Sequence, residues 1–237
     1  MHPRPSTAPA DTPSGVITPA IARYADQLQE LAGGNLRALM LYGSGIVPGS
    51  GRPLVDNVLV LAADDLDLLR RIARHGPAFR KAGIAAPLVM TIGAIASSRD
   101  SFPLELMDIA QTRLPVFGED AFGNLTFDRE HVRLQCEREL RTLAIALRQR
   151  VLHAGGGDAH LRIADLADGV VRILRGMLFL RGNAPVRSAT EVMSAFSAAG
   201  GQPLEAVRRA WSRSVDWDGY RAFYAEITAL GALVDAG

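Results

Sequence analysis

The sequence predicts an α+β fold: a small mixed sheet packed with helices, followed by an all-α helical bundle. Three observations lead there. Up to about Phe127, short apolar runs alternate with helical stretches and turn signals. Beyond it, nearly every segment repeats its apolar residues at three- and four-residue steps. The whole chain has 237 residues, a length between one large domain and two small ones. The expected division is a disordered leader at 1–16, an α/β domain at 17–127 and a helical bundle at 128–237.

The leader holds Pro3, Pro5, Pro9 and Pro13 and little that could pack. Thr18-Pro19 then opens a helix, as an N-cap followed by proline at the first helical position, and Gly33-Gly34 closes it after Leu31. Leu36 to Tyr42 reads as a buried strand that stops at Gly43-Ser44-Gly45. A loop rich in glycine, proline and serine runs to Pro53, and Val55 to Leu61 forms a second strand. Asp64-Asp65 caps a helix through Leu66, Leu69 and Ile72, and Pro87 to Ile92 is the third strand. Extended pieces are expected around Leu104-Glu105-Leu106 and Pro115-Val116-Phe117.

The helical part opens on Asp128 as an N-cap. Val132, Cys136, Leu140, Leu143, Leu147 and Val151 then share one face of a helix. His153 to Asp158, with its three glycines, reads as a flexible connection. Further helices are expected at about 159–180, 188–198, 203–212 and 218–234.

Composition narrows the function classes. Hydrophobic residues make up 48% and charged residues 22%, which excludes a disordered or low-complexity chain. The single cysteine, Cys136, excludes a disulfide framework and fits a reducing, cytoplasmic compartment. A net charge of +1 supplies no footprint for nucleic acid or an acidic membrane, so neither is an expected partner. Lys81 is the sole lysine among 26 basic residues, which reads as coding bias because the arginines are scattered throughout. The uncharged stretch 82–98 is too short to span a membrane and carries Pro87.

The informative stretch is Leu36 to Ala62. A hydrophobic strand runs into Gly43-Ser44, a loop follows, and Asp56 opens a second apolar strand. This resembles the DNA polymerase β-like nucleotidyltransferase superfamily, in particular its bacterial aminoglycoside nucleotidyltransferase-like branch. The resemblance implies that Gly43, Ser44 and Gly45 contact a nucleoside triphosphate. It further implies that an Asp-x-Asp pair on the second strand, with a third acid on a later strand, holds two Mg²⁺ ions. Glycine lets phosphate approach backbone N–H groups, and carboxylates two residues apart on a strand share a face. Two divalent ions stabilise the attacking and leaving oxygens of an in-line displacement.

Asp56 matches the first acid, but Val58 stands where the second belongs, and Asn57 points to the opposite face. The strand Leu88-Val89-Met90-Thr91 carries no third acid. The nearest later acids, Glu105 and Asp108, either share a helical face or lie on opposite faces of a strand, and are expected to pair with arginines such as Arg99 or Arg113. Asp56 is then a remnant and at most a weak metal ligand.

The leading reading is a catalytically degenerate nucleotidyltransferase-fold protein that regulates by binding a nucleotide or a protein partner, the latter through its helical bundle. The alternative is an active enzyme using Mg²⁺ and a nucleoside triphosphate on a small hydroxylated acceptor, with Glu105 or Asp108 supporting Asp56. A third reading is a structural assembly module. Two other patterns carry no weight. Arg148 and His153 repeat a ribonuclease spacing, but so do Arg70 and His75, as chance predicts for an arginine-rich chain. His153, Asp158 and His160 are metal-compatible, yet they bracket the glycine linker.

Overall fold

The computed structural model describes residues 16–46, 53–154, 157, 163–212 and 215–235. Most of the expected leader, the centre of the loop after Gly45, and the connection with Asp158 and His160 lie outside them. The chain is mixed α+β, a four-stranded mixed sheet together with helices. It divides into two compact units: residues up to Ile92 with Arg113–Ala121, and Gly93–Thr112 with Phe122–Gly237.

In the sheet unit, α1 (Pro19–Ala32) begins where the Thr18 hydroxyl accepts from the Ile21 amide, and ends at Gly33. β1 (Leu36–Tyr42) pairs antiparallel with β2 (Asp56–Leu61), which pairs parallel with β3 (Leu88–Thr91). The parallel step requires a crossover. That crossover is α2 (Leu66–Ala73), capped by the Asp65 carboxylate on the Leu68 amide, and α3 (Gly76–Lys81). β4 (Leu114–Gly118) joins the free side of β1, giving the order β3-β2-β1-β4. Pro115 is accommodated on the edge strand β4, opposite Met40 and beside a shift in the register with β1. Alternation sends Leu39, Leu41, Leu59 and Leu61 to one face, packed in a core with Tyr24, Leu28, Leu68 and Ile72 of the helices.

Three helices differ from the sequence reading, the first being α3, which that reading did not contain. Glu105 does not lie on a strand: Pro103–Thr112 is a helix, α5, preceded by a short helix α4 (Ile92–Ser97). Leu104, Leu106, Met107 and Ile109 are all buried, a helical rather than an alternating pattern, and Pro103 sits at the helix start, where its missing N–H costs nothing.

In the helical unit, α6 (Arg129–His153) starts on Asp128, whose carboxylate accepts from the Glu130 and His131 amides. α7 (Ala164–Leu180), α8 (Ala189–Ala198), α9 (Glu205–Ser212) and α10 (Trp217–Asp235) follow. Val132, Cys136, Leu140 and Leu147 of α6 enter one core with Val170 and Leu174 of α7, Phe196 of α8, Val207 of α9 and Phe223 and Ile227 of α10. Gly176 marks a close approach of helices in this unit, since a Cβ there would fall 2.4 Å from Leu104 Cδ2 and 2.8 Å from Cys136 Sγ. The start of α9 is closed by another helix: the Glu226 carboxylate accepts from the Ala206 and Val207 amides at 2.9 Å each. No helix among the described residues is long and apolar enough to cross a membrane.

Candidate functional site

The β1–β2 pairing decides the geometry of the candidate site. Tyr42 is opposite Asp56 and Leu41 opposite Asn57, so the chain leaves β1 at Gly43 beside the residue that opens β2. Gly43 has φ +77°, the left-handed region in which a side chain is strained, and the position of its absent Cβ lies 3.4 Å from Asp56 Oδ2. Glycine is needed again at Gly45 for a different reason. A Cβ there would sit 2.7 Å from the Leu54 carbonyl oxygen, so the returning arm of the loop lies directly against it. Ser44, half-buried, opens one turn of 3₁₀ helix that runs to Ile46. Gly43 thus has a conformational reason and Gly45 a steric one, neither of which the phosphate reading of the motif contained.

Asp56 is exposed at the start of β2, while Val58, two residues on, is fully buried. Asn57 points to the face packed by α1, as alternation requires. Its amide oxygen accepts from the Tyr24 hydroxyl at 2.7 Å and its amide nitrogen donates to the Ala85 carbonyl at 2.9 Å. Burial raises the Tyr24 hydroxyl well above its usual value, so it stays protonated and keeps donating. Asn57 is therefore a structural residue, with its hydrogen bonds made inside the sheet unit.

Glu105 and Asp108 belong to the helical unit, one turn apart on α5. Asp108 Oδ1 accepts from Arg175 Nη1 at 2.5 Å, and Arg175 also donates to the Val186 and Arg187 carbonyls. Burial lifts Asp108 above the usual carboxylate range, against the pull of Arg175 and then Arg172. Glu105 accepts from Gln135 Nε2 at 2.6 Å and lies 3.4 Å from Arg172, while Gln135 Oε1 accepts from the Leu104 amide. The arginine partners are thus Arg172 and Arg175, not Arg99 or Arg113. Arg99 donates to the Ala96 carbonyl, and Arg113 bonds Asp120 at 2.8 Å. Both α5 acids are consumed in holding helices together.

Sequence reasoning missed Gln135, Arg172 and Arg175. Arg175 carried a readable signal, a cation on the same face as Val171, Leu174 and Leu178, all buried. Among the described residues, no group of three or more His, Cys, Asp or Glu side chains is placed to hold a metal ion. No protein-family model matches the chain, and no curated protein matches it.

Proposed function

We propose that the chain is a nucleotidyltransferase-like protein that has lost its metal site and acts by binding rather than by transfer. The observation that carries the reading is the placement of Asp56 against Gly43 at the end of a strand pair, with buried Val58 on the same face of β2. A Gly-Ser turn opposite a strand-opening acid supports the resemblance. Valine at the second position and Leu88-Val89-Met90-Thr91 on β3 support the loss of activity.

Mg²⁺ takes octahedral oxygen coordination and is anchored by carboxylates. The residues present do not fit a two-metal site, since Asp56 is the sole acid on β1, β2 and β3. Glu105 and Asp108 are engaged by Gln135, Arg172 and Arg175. Without metal, the Asp56 carboxylate repels phosphate, so the turn takes up a triphosphate weakly at most. The role left to the chain is regulation through a bound partner, with the helical unit as the binding part.

The test offers labelled nucleoside triphosphates and pooled hydroxylated acceptors to the wild type and to Asp56→Asn, with Mg²⁺ present. The expected outcome is no nucleotidylated product from either protein. Transfer by the wild type that vanishes in Asp56→Asn would overturn the reading and make Asp56 a working metal ligand, because a metal contributes several kcal/mol to such a transition state.

A further inference from the structure

α6 carries large apolar residues on two faces, of which the second alternates them with arginine. One is the buried face of Val132, Cys136, Leu140 and Leu147. The other carries Leu134, Arg138, Arg141, Ile145, Arg148 and Leu152, separated by steps of 4, 3, 4, 3 and 4 residues. At about 100° per residue these six fall within an arc of roughly 80° on the side away from the core. All six are exposed, with Leu134 at 47%, Ile145 at 52% and Leu152 at 73%. A single exposed leucine needs no explanation, but a regular 4-3 seam has the spacing with which one helix grips another.

The seam runs into a groove. Arg148 and Leu152 also line a cavity of about 550 Å³, together with Leu147 and Val151 on one wall and Trp217, Tyr220 and Tyr224 of α10 on the other. Its walls are fixed to each other, since the Tyr220 hydroxyl donates to the Leu147 carbonyl at 2.7 Å. Trp217 stacks on Tyr220, with ring centroids 5.8 Å apart, and is itself 46% exposed. Arg148 donates to the Tyr224 hydroxyl at 2.8 Å and has no carboxylate partner among the described residues. Arg221 lines the same cavity.

We propose that this seam and groove form one docking surface for an acidic amphipathic helix of a partner protein. The proposal deepens the binding role given above and rests on it only in asking for a partner. Apolar residues of that helix, at three- and four-residue spacing, would lie along Leu134, Ile145 and Leu152 and fill the cavity beside Trp217. Its carboxylates would meet Arg148 first, and Arg141 and Arg138 beyond it, which already pair with Glu137 at 2.8 Å and Glu139 at 3.9 Å. Trp, Tyr and Arg in one recessed, apolar patch are the residue types on which binding energy concentrates. A second copy of the chain is the wrong occupant, because two such seams face to face set arginine against arginine. A lipid surface is a poor one, because a flat bilayer leaves the recess beside Trp217 unfilled.

The experiment uses the full chain and no nucleotide, so its failure is distinguishable from failure of the transferase reading. A displayed library of helices with leucine at heptad positions a and d and Glu or Lys at each flanking position is selected on the wild type, with Ile145→Asp as counter-selection. The best peptide is then measured by fluorescence anisotropy. The expected result is enrichment of Glu at the flanks and binding at least tenfold weaker to Arg148→Glu. A Glu-to-Lys version of the peptide should recover affinity for Arg148→Glu and lose it for the wild type. Circular dichroism checks that both variants, altered only at exposed positions, remain folded. The proposal is overturned by any of four results: no enrichment, enrichment of Lys, a dimer in sedimentation that Ile145→Asp dissociates, or Ile145-dependent capture by equimolar phosphatidylglycerol–phosphatidylcholine vesicles.

Discussion

Asp56 and Asp108 are both acids that a transferase reading would recruit, and their surroundings could hardly differ more. Asp56 stands exposed at the mouth of a strand pair, beside a glycine whose missing side chain leaves room next to the carboxylate. Asp108 is largely buried on α5, 2.5 Å from a guanidinium that is itself 4% exposed. One acid is open to solvent; the other has an acidic neighbour, Glu105, but is already neutralised by Arg175. Counting carboxylates in a sequence does not distinguish these cases, because what a carboxylate can do is set by the charges and water around it. Asp108 thus belongs to the electrostatics that hold the helical unit together, while Asp56 is the sole acid on β1, β2 and β3.

The strongest way to break that comparison is Arg175→Met. It leaves Asp108 buried without its cation, and we expect a loss of about 3–5 kcal/mol in the stability of the helical unit. Pairing it with Asp108→Leu should recover most of the loss, since an apolar pair of similar volume replaces the ions. Urea unfolding followed by tryptophan fluorescence reads this unit selectively, because Trp211 and Trp217 are the only tryptophans. A cost below about 1 kcal/mol for Arg175→Met would mean that Asp108 is not held as described.

Val58→Asp writes onto β2 the Asp-x-Asp pair that the proposed resemblance implies. Because Val58 is fully buried, we expect a loss of about 3 kcal/mol and no Mg²⁺-dependent rise in melting temperature. Tolerance combined with Mg²⁺ stabilisation would show that one added acid is enough for the turn to hold the metal.

A smaller effect is expected at the N-terminus of α6. Hydrogen bonds from the His131 and then the Glu130 amides hold the Asp128 carboxyl below its ordinary value. A lowered folded-state value means that the contribution is present above the ordinary aspartate value of 3.8 and is lost as pH falls through the lowered one. Asp128→Ala should therefore destabilise the helical unit modestly near neutral pH, as loss of a helix cap does, and the difference from wild type should shrink in acid. A difference that stays constant or grows on acidification would contradict the capping geometry.

Much of the fold was legible because local pattern and tertiary role agree. Leu36 to Tyr42 is a continuous apolar run stopped by glycine, and it is β1 without adjustment. Thr18, Asp65 and Asp128 cap the helices that their side chains announce. α5 was misread because Leu104-Glu105-Leu106 alternates like a strand, and three residues are too few to separate period 2 from period 3.6. The partners of Glu105 and Asp108 were illegible for another reason. Arg175 follows Asp108 by 67 positions, and no local pattern encodes a contact at that distance. At the candidate site, the proximity of Gly43 and Asp56 follows from two consecutive strands pairing antiparallel. The close packing of Leu54 on Gly45 depends on the path of the intervening loop, which the sequence does not specify.

The central claim is that the Gly43–Asp56 turn no longer works through metal, and calorimetry tests it most directly. ATP and GTP are titrated into the wild type and Asp56→Asn, each with and without Mg²⁺. Asp56→Asn should leave stability within about 0.5 kcal/mol, as exposed substitutions do. The account predicts weak or absent binding to both proteins and no gain from Mg²⁺. Tight binding that requires Mg²⁺ and disappears in Asp56→Asn would contradict it.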